Sequence, residues 1–150
     1  MEIEKVKNLV ERAVNDLYLM DLDLLERENN EVTISCKLAQ YLFLKFPGYR
    51  VDCEYNRHLN DIKRMNLDNT KKIIKPDIII HKRDIDKDNL VYIEIKTDHN
   101  NENREEDYKK IKAATDPKGE FRYKLGIFID FNRNKDNLSM KYYQDGEEWK

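Results

Sequence analysis

Three residues of one short stretch could do chemistry together: Asp77, Glu94 and Lys96, within "KPDIIIHKRDIDKDNLVYIEIKTD". "DIIIH" and "LVYIEIK" read as two well-buried strands, and the polar run Arg83 to Asn89 between them reads as the turn of a hairpin. Partner numbers in a hairpin have a constant sum, so a turn centred on 86 places Asp77 opposite a residue near 95, give or take one. Asp77 and Glu94 are then cross-strand neighbours. Period-two alternation sends Glu94 and Lys96 to one face and Val91, Ile93 and Ile95 to the other, into a core.

Two carboxylates about 4 Å apart repel by roughly 4 kcal/mol at an effective dielectric of 20. A hard divalent cation compensates: Mg²⁺ is commonly held by one or two carboxylates and keeps other positions for water and phosphate. An ammonium on the same face can approach that phosphate from the side. A metal that acidifies water and an amine that stabilises charge are the parts phosphodiester hydrolysis needs. The plainer reading makes Asp77 and Glu94 solvated strand ends with Lys96 as their ion-pair partner.

The supporting elements follow from periodicity. Ile3, Val6, Leu9, Val10, Ala13, Leu17 and Met20 predict a helix over the first twenty residues. Ile34, Leu38, Tyr41, Leu42 and Lys45 predict a second, capped by Asn29 or Asn30 and stopped by "FPG". Glu31 falls in its first turn, where the helix dipole alone favours a carboxylate. Val51, Cys53 and Tyr55 alternate as a strand, residues 56 to 75 show no clear period, and Tyr108, Ile111 and Ala114 mark a helix over 105 to 115. "YKLGIFIDF" and "LSMKYY" close the chain as a strand pair. With 150 residues and no Gly/Ser/Pro-rich break, 1–150 reads as a single domain. The order of elements predicts an α/β sandwich around a mixed sheet.

Hydrophobic and charged residues each make up 39% of the chain and the net charge is -2, which decides nothing about partners. The distribution is lopsided, however. Between 57 and 75, six cations (Arg57, Lys63, Arg64, Lys71, Lys72, Lys75) face only Asp61 and Asp68, for a local charge of +4. A solvated Lys-rich loop is the bland reading of this segment; a phosphate-contacting flap is the functional one. Cys36 and Cys53 stand singly, without metal-ligand spacing, and read as buried reduced thiols. His58, His81 and His99 are not at ligand spacing. Tyr123, Tyr142 and Tyr143 read as packing residues that could alternatively stack on bases. No signal-peptide h-region or apolar span is present in the sequence, so a cytoplasmic protein without membrane contact is expected.

Pro76-Asp77 and Glu94-Ile95-Lys96 resemble the motif of the PD-(D/E)xK nuclease superfamily, the restriction-endonuclease-like phosphodiesterases. The likeness is greatest to small stand-alone, largely uncharacterised members, in which a glutamate-bearing helix precedes a strand ending in "EYNR", here Glu54 to Arg57. It runs from about Glu31 to Phe131. The resemblance implies a three-layer α/β sandwich with a central mixed sheet, and a metal-dependent nuclease acting on nucleic acid, with DNA ahead of RNA. It implies Mg²⁺ or Mn²⁺ held by Asp77, Glu94 and the Ile95 carbonyl. Glu31 completes the site, with Glu26 and Glu28 as rivals, and Lys96 orients or activates water. Arg57, Lys63, Arg64, Lys71 and Lys72, together with Lys110 in preference to Lys109, are the expected nucleic-acid contacts. Cutting both strands of a duplex implies a homodimer or larger complex. The competing expectation is a non-catalytic nucleic-acid-binding or regulatory protein that keeps the nuclease fold.

Overall fold

The structure is a computed structural model that describes residues 1–27, 30–55, 57–58, 61–62, 64–68, 70–83 and 85–150; for residues 57, 58, 61, 62, 66, 73 and 86 it describes the backbone alone. Helix α1 (Ile3–Glu26) buries Val6, Val10, Ala13, Val14, Leu17 and Tyr18 at the expected three- and four-residue steps. It bends at Asp21, whose backbone leaves helical geometry and whose carboxylate accepts a hydrogen bond from Tyr41. Helix α2 (Glu31–Lys45) begins where Asn30 accepts from the Thr33 N–H at 2.9 Å, so Asn30 is the cap that the sequence narrowed to two candidates. An ion pair of 2.6 Å between Lys45 and Asp16 joins α2 to α1.

Strand β1 (Arg50–Cys53) ends two residues earlier than the alternation predicts, because Glu54 takes a positive φ of 50° that turns the chain out of the sheet. The segment read as aperiodic in fact holds two small hairpins. Strands β2 (Arg57–His58) and β3 (Asp61–Ile62) form one, and β4 (Arg64–Leu67) and β5 (Thr70–Ile73) form the other. The second hairpin is anchored rather than looped, since Met65, Leu67 and the following Ile74 are buried against α3 (Glu105–Thr115) and the sheet.

The remaining strands are β6 (Ile78–His81), β7 (Val91–Thr97), β8 (Leu125–Phe131), β9 (Ser139–Gln144) and β10 (Glu147–Trp149). With β1 they form a six-stranded mixed sheet in the order β1-β6-β7-β8-β9-β10, in which only β7 and β8 run parallel. Such a parallel pair needs a crossover, and α3 supplies it. Helices α1 and α2 cover one face, against Ile78, Ile80, Val91, Ile93, Ile95, Leu125, Ile127 and Ile129. Helix α3 covers the other, against Ile79, Tyr92, Phe128 and Tyr143. The mixed α/β architecture with helices on both faces matches the sequence expectation. Tyr123 and Tyr143 are buried, and Tyr142 donates to Glu11, so all three have structural work. No helix is long and apolar enough to cross a membrane among the described residues.

Helix α3 lies very close to the sheet because β8 offers a glycine there. A Cβ on Gly126 would stand 2.3 Å from Ile111 Cγ2 and 3.0 Å from Thr115 Cγ2. That close approach seats the second half of α3 on the sheet, while Asp107 in its first turn meets Lys96 near the end of β7.

Candidate active site

Strands β6 and β7 pair with Ile78 opposite Ile93 and Ile80 opposite Val91, and one further step puts Asp77 opposite Glu94. The register thus falls inside the range set by the turn. Tyr92, Glu94 and Lys96 face α3, while Val91, Ile93 and Ile95 face the α1/α2 core. Glu94 is not a solvated strand end: only 4% of it is exposed. Its Oε1 accepts from the Tyr92 hydroxyl at 2.9 Å. The Asp77 and Glu94 carboxyls act on each other, Glu94 lowering Asp77 and Asp77 raising Glu94, as two acids do when one proton serves both.

Burial raises both acids above their ordinary values. Glu94 rises furthest, first from burial and then from the charges of Asp77 and Asp107. Asp77 is raised first by burial, with partial relief from the Ile95 N–H, which donates to its Oδ2 at 2.7 Å. Glu94 is therefore the member of the pair that keeps the proton, and Asp77 the one that carries charge.

The Ile95–Asp77 bond also fixes the direction of the Ile95 peptide. A strand residue turns its N–H and C=O toward the same neighbour, so the Ile95 carbonyl faces the β6 side. Two register steps beyond Ile93 and Ile78, its ladder partner would be Pro76. Proline has no N–H, so the ladder brings no donor to that carbonyl. The Pro-Asp dipeptide leaves a backbone oxygen available beside a carboxylate.

Lys96 reaches in from the same face, its side chain only 12% exposed. Its Nζ lies 3.0 Å from Asp107 Oδ2, 3.7 Å from Glu102 Oε2 and 4.0 Å from Glu31 Oε1. Burial alone would lower this amine, but Asp107, Glu31 and Asp77 reverse the effect and hold it above its ordinary value. Glu31 is steered by α2 from one side, and its Oε2 accepts from Asn100 Nδ2 at 2.9 Å. Arg104 shapes the loop that presents Asn100 and Glu102: it donates to the carbonyls of Thr97, Asn100 and Glu102 and pairs with Asp130.

Asp107 was not anticipated. It is 5% exposed, its Oδ2 accepts no well-aligned hydrogen bond, and Lys110 stands 3.9 Å from its Oδ1. Residue 107 lies one turn before Ile111, so the period that marked Tyr108, Ile111 and Ala114 already put it on the inner side of α3. Tyr92 carried a signal too, since it lies two residues before Glu94 on the same face.

Compared with protein-family models, curated proteins and solved structures, the chain matches none of them. The functional reading therefore rests on the residues themselves.

The other expected residues are distributed as follows. Lys110 is half-buried at the edge of the acidic cluster, where its charge bears on Glu94. Lys71 and Lys72 are exposed on β5 and pair with Glu120 and Glu106, while Lys109 pairs with Asp68 at 2.8 Å. Arg64 is exposed on β4. Lys63, Glu28 and the side chains of Arg57 and His58 lie outside the described residues. Glu26 is exposed at the end of α1. His81 is buried with its Nε2 2.7 Å from Asp52, whose carboxyl is held down at about 2: burial opposes this, and His81 and Arg83 overcome it. The cysteines depart from expectation, since Cys36 is exposed and Cys53 half-buried.

The donor set decides how well a divalent ion fits. Among the described residues, no group of three His, Cys, Asp or Glu side chains is arranged to hold a metal. Two cross-strand carboxyls and a backbone oxygen without a ladder donor form an all-oxygen set, the donor type that suits Mg²⁺ or Mn²⁺.

Proposed function

We propose that this chain is a divalent-metal-dependent phosphodiesterase of the PD-(D/E)xK type, hydrolysing nucleic acid, with DNA ahead of RNA. The observation that carries the reading is the placement of Asp77 opposite the buried Glu94 on adjacent strands, with the Lys96 ammonium on the same face. A buried acid pair that must retain a proton is held in the state that a divalent ion relieves.

Asp77, Glu94 and the Ile95 carbonyl would hold Mg²⁺ or Mn²⁺, with Glu31 across Lys96 from them. The bound ion would acidify water and neutralise phosphate charge. As a ligand Glu94 would be ionised, and the Tyr92 hydroxyl, which already donates to its Oε1, would stabilise that carboxylate. Lys96 works as a cation, because four neighbouring carboxylates favour its ammonium form; its role is to stabilise negative charge on the phosphoryl oxygens. Asp107 and Glu31 fix the direction of that amine, and Arg104 keeps the surrounding loop in place. Lys109 and Lys110 on α3, with Lys71 and Lys72 on β5, are described cations that a phosphate backbone could recruit. Their present ion pairs are mostly solvent-exposed and weak enough to exchange.

The test is incubation of wild type and Lys96→Ala with plasmid, single-stranded DNA and RNA in Mg²⁺, in Mn²⁺ and in EDTA. Cleavage by the wild type alone, lost in EDTA, is expected. Equal cleavage by both proteins refers the activity to another site, and salt-sensitive binding without cleavage favours the non-catalytic reading.

A further inference from the structure

The two cysteines, one on α2 and one closing β1, meet. Cys53 Sγ lies 3.8 Å from the carbonyl oxygen of Ser35, which belongs to the peptide bond entering Cys36. Helix α2 packs against β1 at this point, and the electrostatics of Cys53 respond to Cys36. Cys36 is exposed, so it does not serve as core filling, and it gives a small oxidant a route to the pair. The chain contains only these two cysteines.

We propose that Cys36 and Cys53 form a dithiol modification site that closes to an intramolecular disulfide on reaction with a peroxide. The Cys36 thiolate attacks one peroxide oxygen, the O–O bond breaks, and the departing oxygen is protonated to water, leaving a sulfenic acid on Cys36. The Cys53 sulfur then attacks the Cys36 sulfur. The S–O bond breaks, and the leaving oxygen takes up the Cys53 proton and departs as a second water. Each sulfur is oxidised by one electron and the peroxide is reduced by two.

Cys36 reacts first because it is exposed. Cys53 is the resolving partner, and its thiol is pushed up to about 12 by burial, then by Cys36, with Asp52 and Glu54 adding to the effect. The second step is consequently the slower one.

The bond would join two backbones that lead to the candidate active site. Cys36 follows Glu31 by little more than one turn of α2. Cys53 pairs with Ile78, and the next residue, Glu54, donates its N–H to the Asp77 carbonyl at 3.2 Å. The proposal does not depend on the nuclease reading, and none of its tests uses nucleic acid.

The reduced full-length chain is treated with near-stoichiometric hydrogen peroxide and followed by thiol titration, intact mass and non-reducing peptide mapping. Loss of both thiols is expected, with a mass lower by two hydrogens, a linked Cys36–Cys53 peptide, and full recovery in dithiothreitol. Cys53→Ser should instead accumulate a sulfenic acid on Cys36, trappable with dimedone. The oxidised wild type should melt several degrees higher than the reduced form, a gain that Cys53→Ser lacks. Covalent dimers through Cys36, sulfinic or sulfonic acid on Cys36 with Cys53 still free, or linkage formed only in denaturant would overturn the assignment.

Discussion

Replacing Glu94 with glutamine should stabilise the metal-free protein, although it removes a residue assigned to the centre of the site. Folding buries Glu94 against the Asp77 charge, and the folded state meets this cost by keeping Glu94 protonated. A glutamate with an ordinary value of 4.5 is almost fully ionised at pH 7 in the unfolded chain. At about 1.4 kcal/mol per pH unit, holding its proton to pH 7 costs at most about 3 kcal/mol. Glutamine has the shape of the protonated acid. Its carbonyl can accept from Tyr92 and its amide can donate to Asp77, so it preserves both hydrogen bonds without the proton cost. The expected gain at pH 7 is therefore bounded by about 3 kcal/mol, a rise in Tm of several degrees for a chain of this length.

The sign can be followed with pH. The folded pKa lies above the unfolded one, so the folded state binds more protons and wild-type stability falls as pH rises from 4.5 toward the raised folded value. The gap between Glu94→Gln and wild type should therefore be near zero at pH 4.5 and widen above it. Thermal and urea unfolding in EDTA between pH 4.5 and 8 measures this. A variant less stable than wild type at pH 7.5, or a gap that does not change with pH, would refute the assignment of the shared proton.

Added Mg²⁺ should stabilise wild type and leave Glu94→Gln almost unmoved. Calorimetric titration with Mn²⁺ should show tighter binding as pH rises and release of about one proton per ion from the site, measurable as a dependence of the heat on buffer ionisation. Gly126→Ala should lower stability by about 1–3 kcal/mol, read in urea, because the new methyl meets Ile111 and Thr115 and α3 must lift. Because α3 carries Asp107, the same variant should also weaken Mn²⁺ binding.

The hairpin carrying Asp77 and Glu94 was legible because a short turn fixes its register arithmetically and the alternation of "LVYIEIK" fixes its faces. Helix α3 was legible in full from a three-residue apolar period. Hairpin β4–β5 was not, because its burial rests on Met65, Leu67 and Ile74 meeting α3, a helix some forty residues later in the chain, and the adjacent Lys71 and Lys72 break any apolar alternation along β5. Asp107 was passed over because an aspartate on the seam of an amphipathic helix looks like its polar margin. Its burial depends on how α3 lies over Lys96 on β7, which the helix's own sequence does not encode. The meeting of Cys36 and Cys53 depends on how α2 lies against β1, and local sequence does not encode that angle.

Taken together, the charges in the site argue for a cation from outside the chain. Glu31, Asp77, Glu94, Glu102 and Asp107 surround Lys96, with Lys110 at the edge. Even with Glu94 protonated, four carboxylates remain for two ammonium groups, and the Arg104 guanidinium that also faces Glu31 is itself paired with Asp130. Exposed acids such as Glu102 are screened by water, but Asp77, Glu94 and Asp107 are not, and an unbalanced buried carboxylate destabilises a fold. A purely structural salt bridge would need only one of them. A site built to receive a phosphate unaided would carry the opposite sign, since nucleic acid approaching this face would otherwise meet net negative charge. A divalent ion resolves both conflicts at once, balancing the buried acids and turning an anion-repelling surface into one that a phosphodiester can approach.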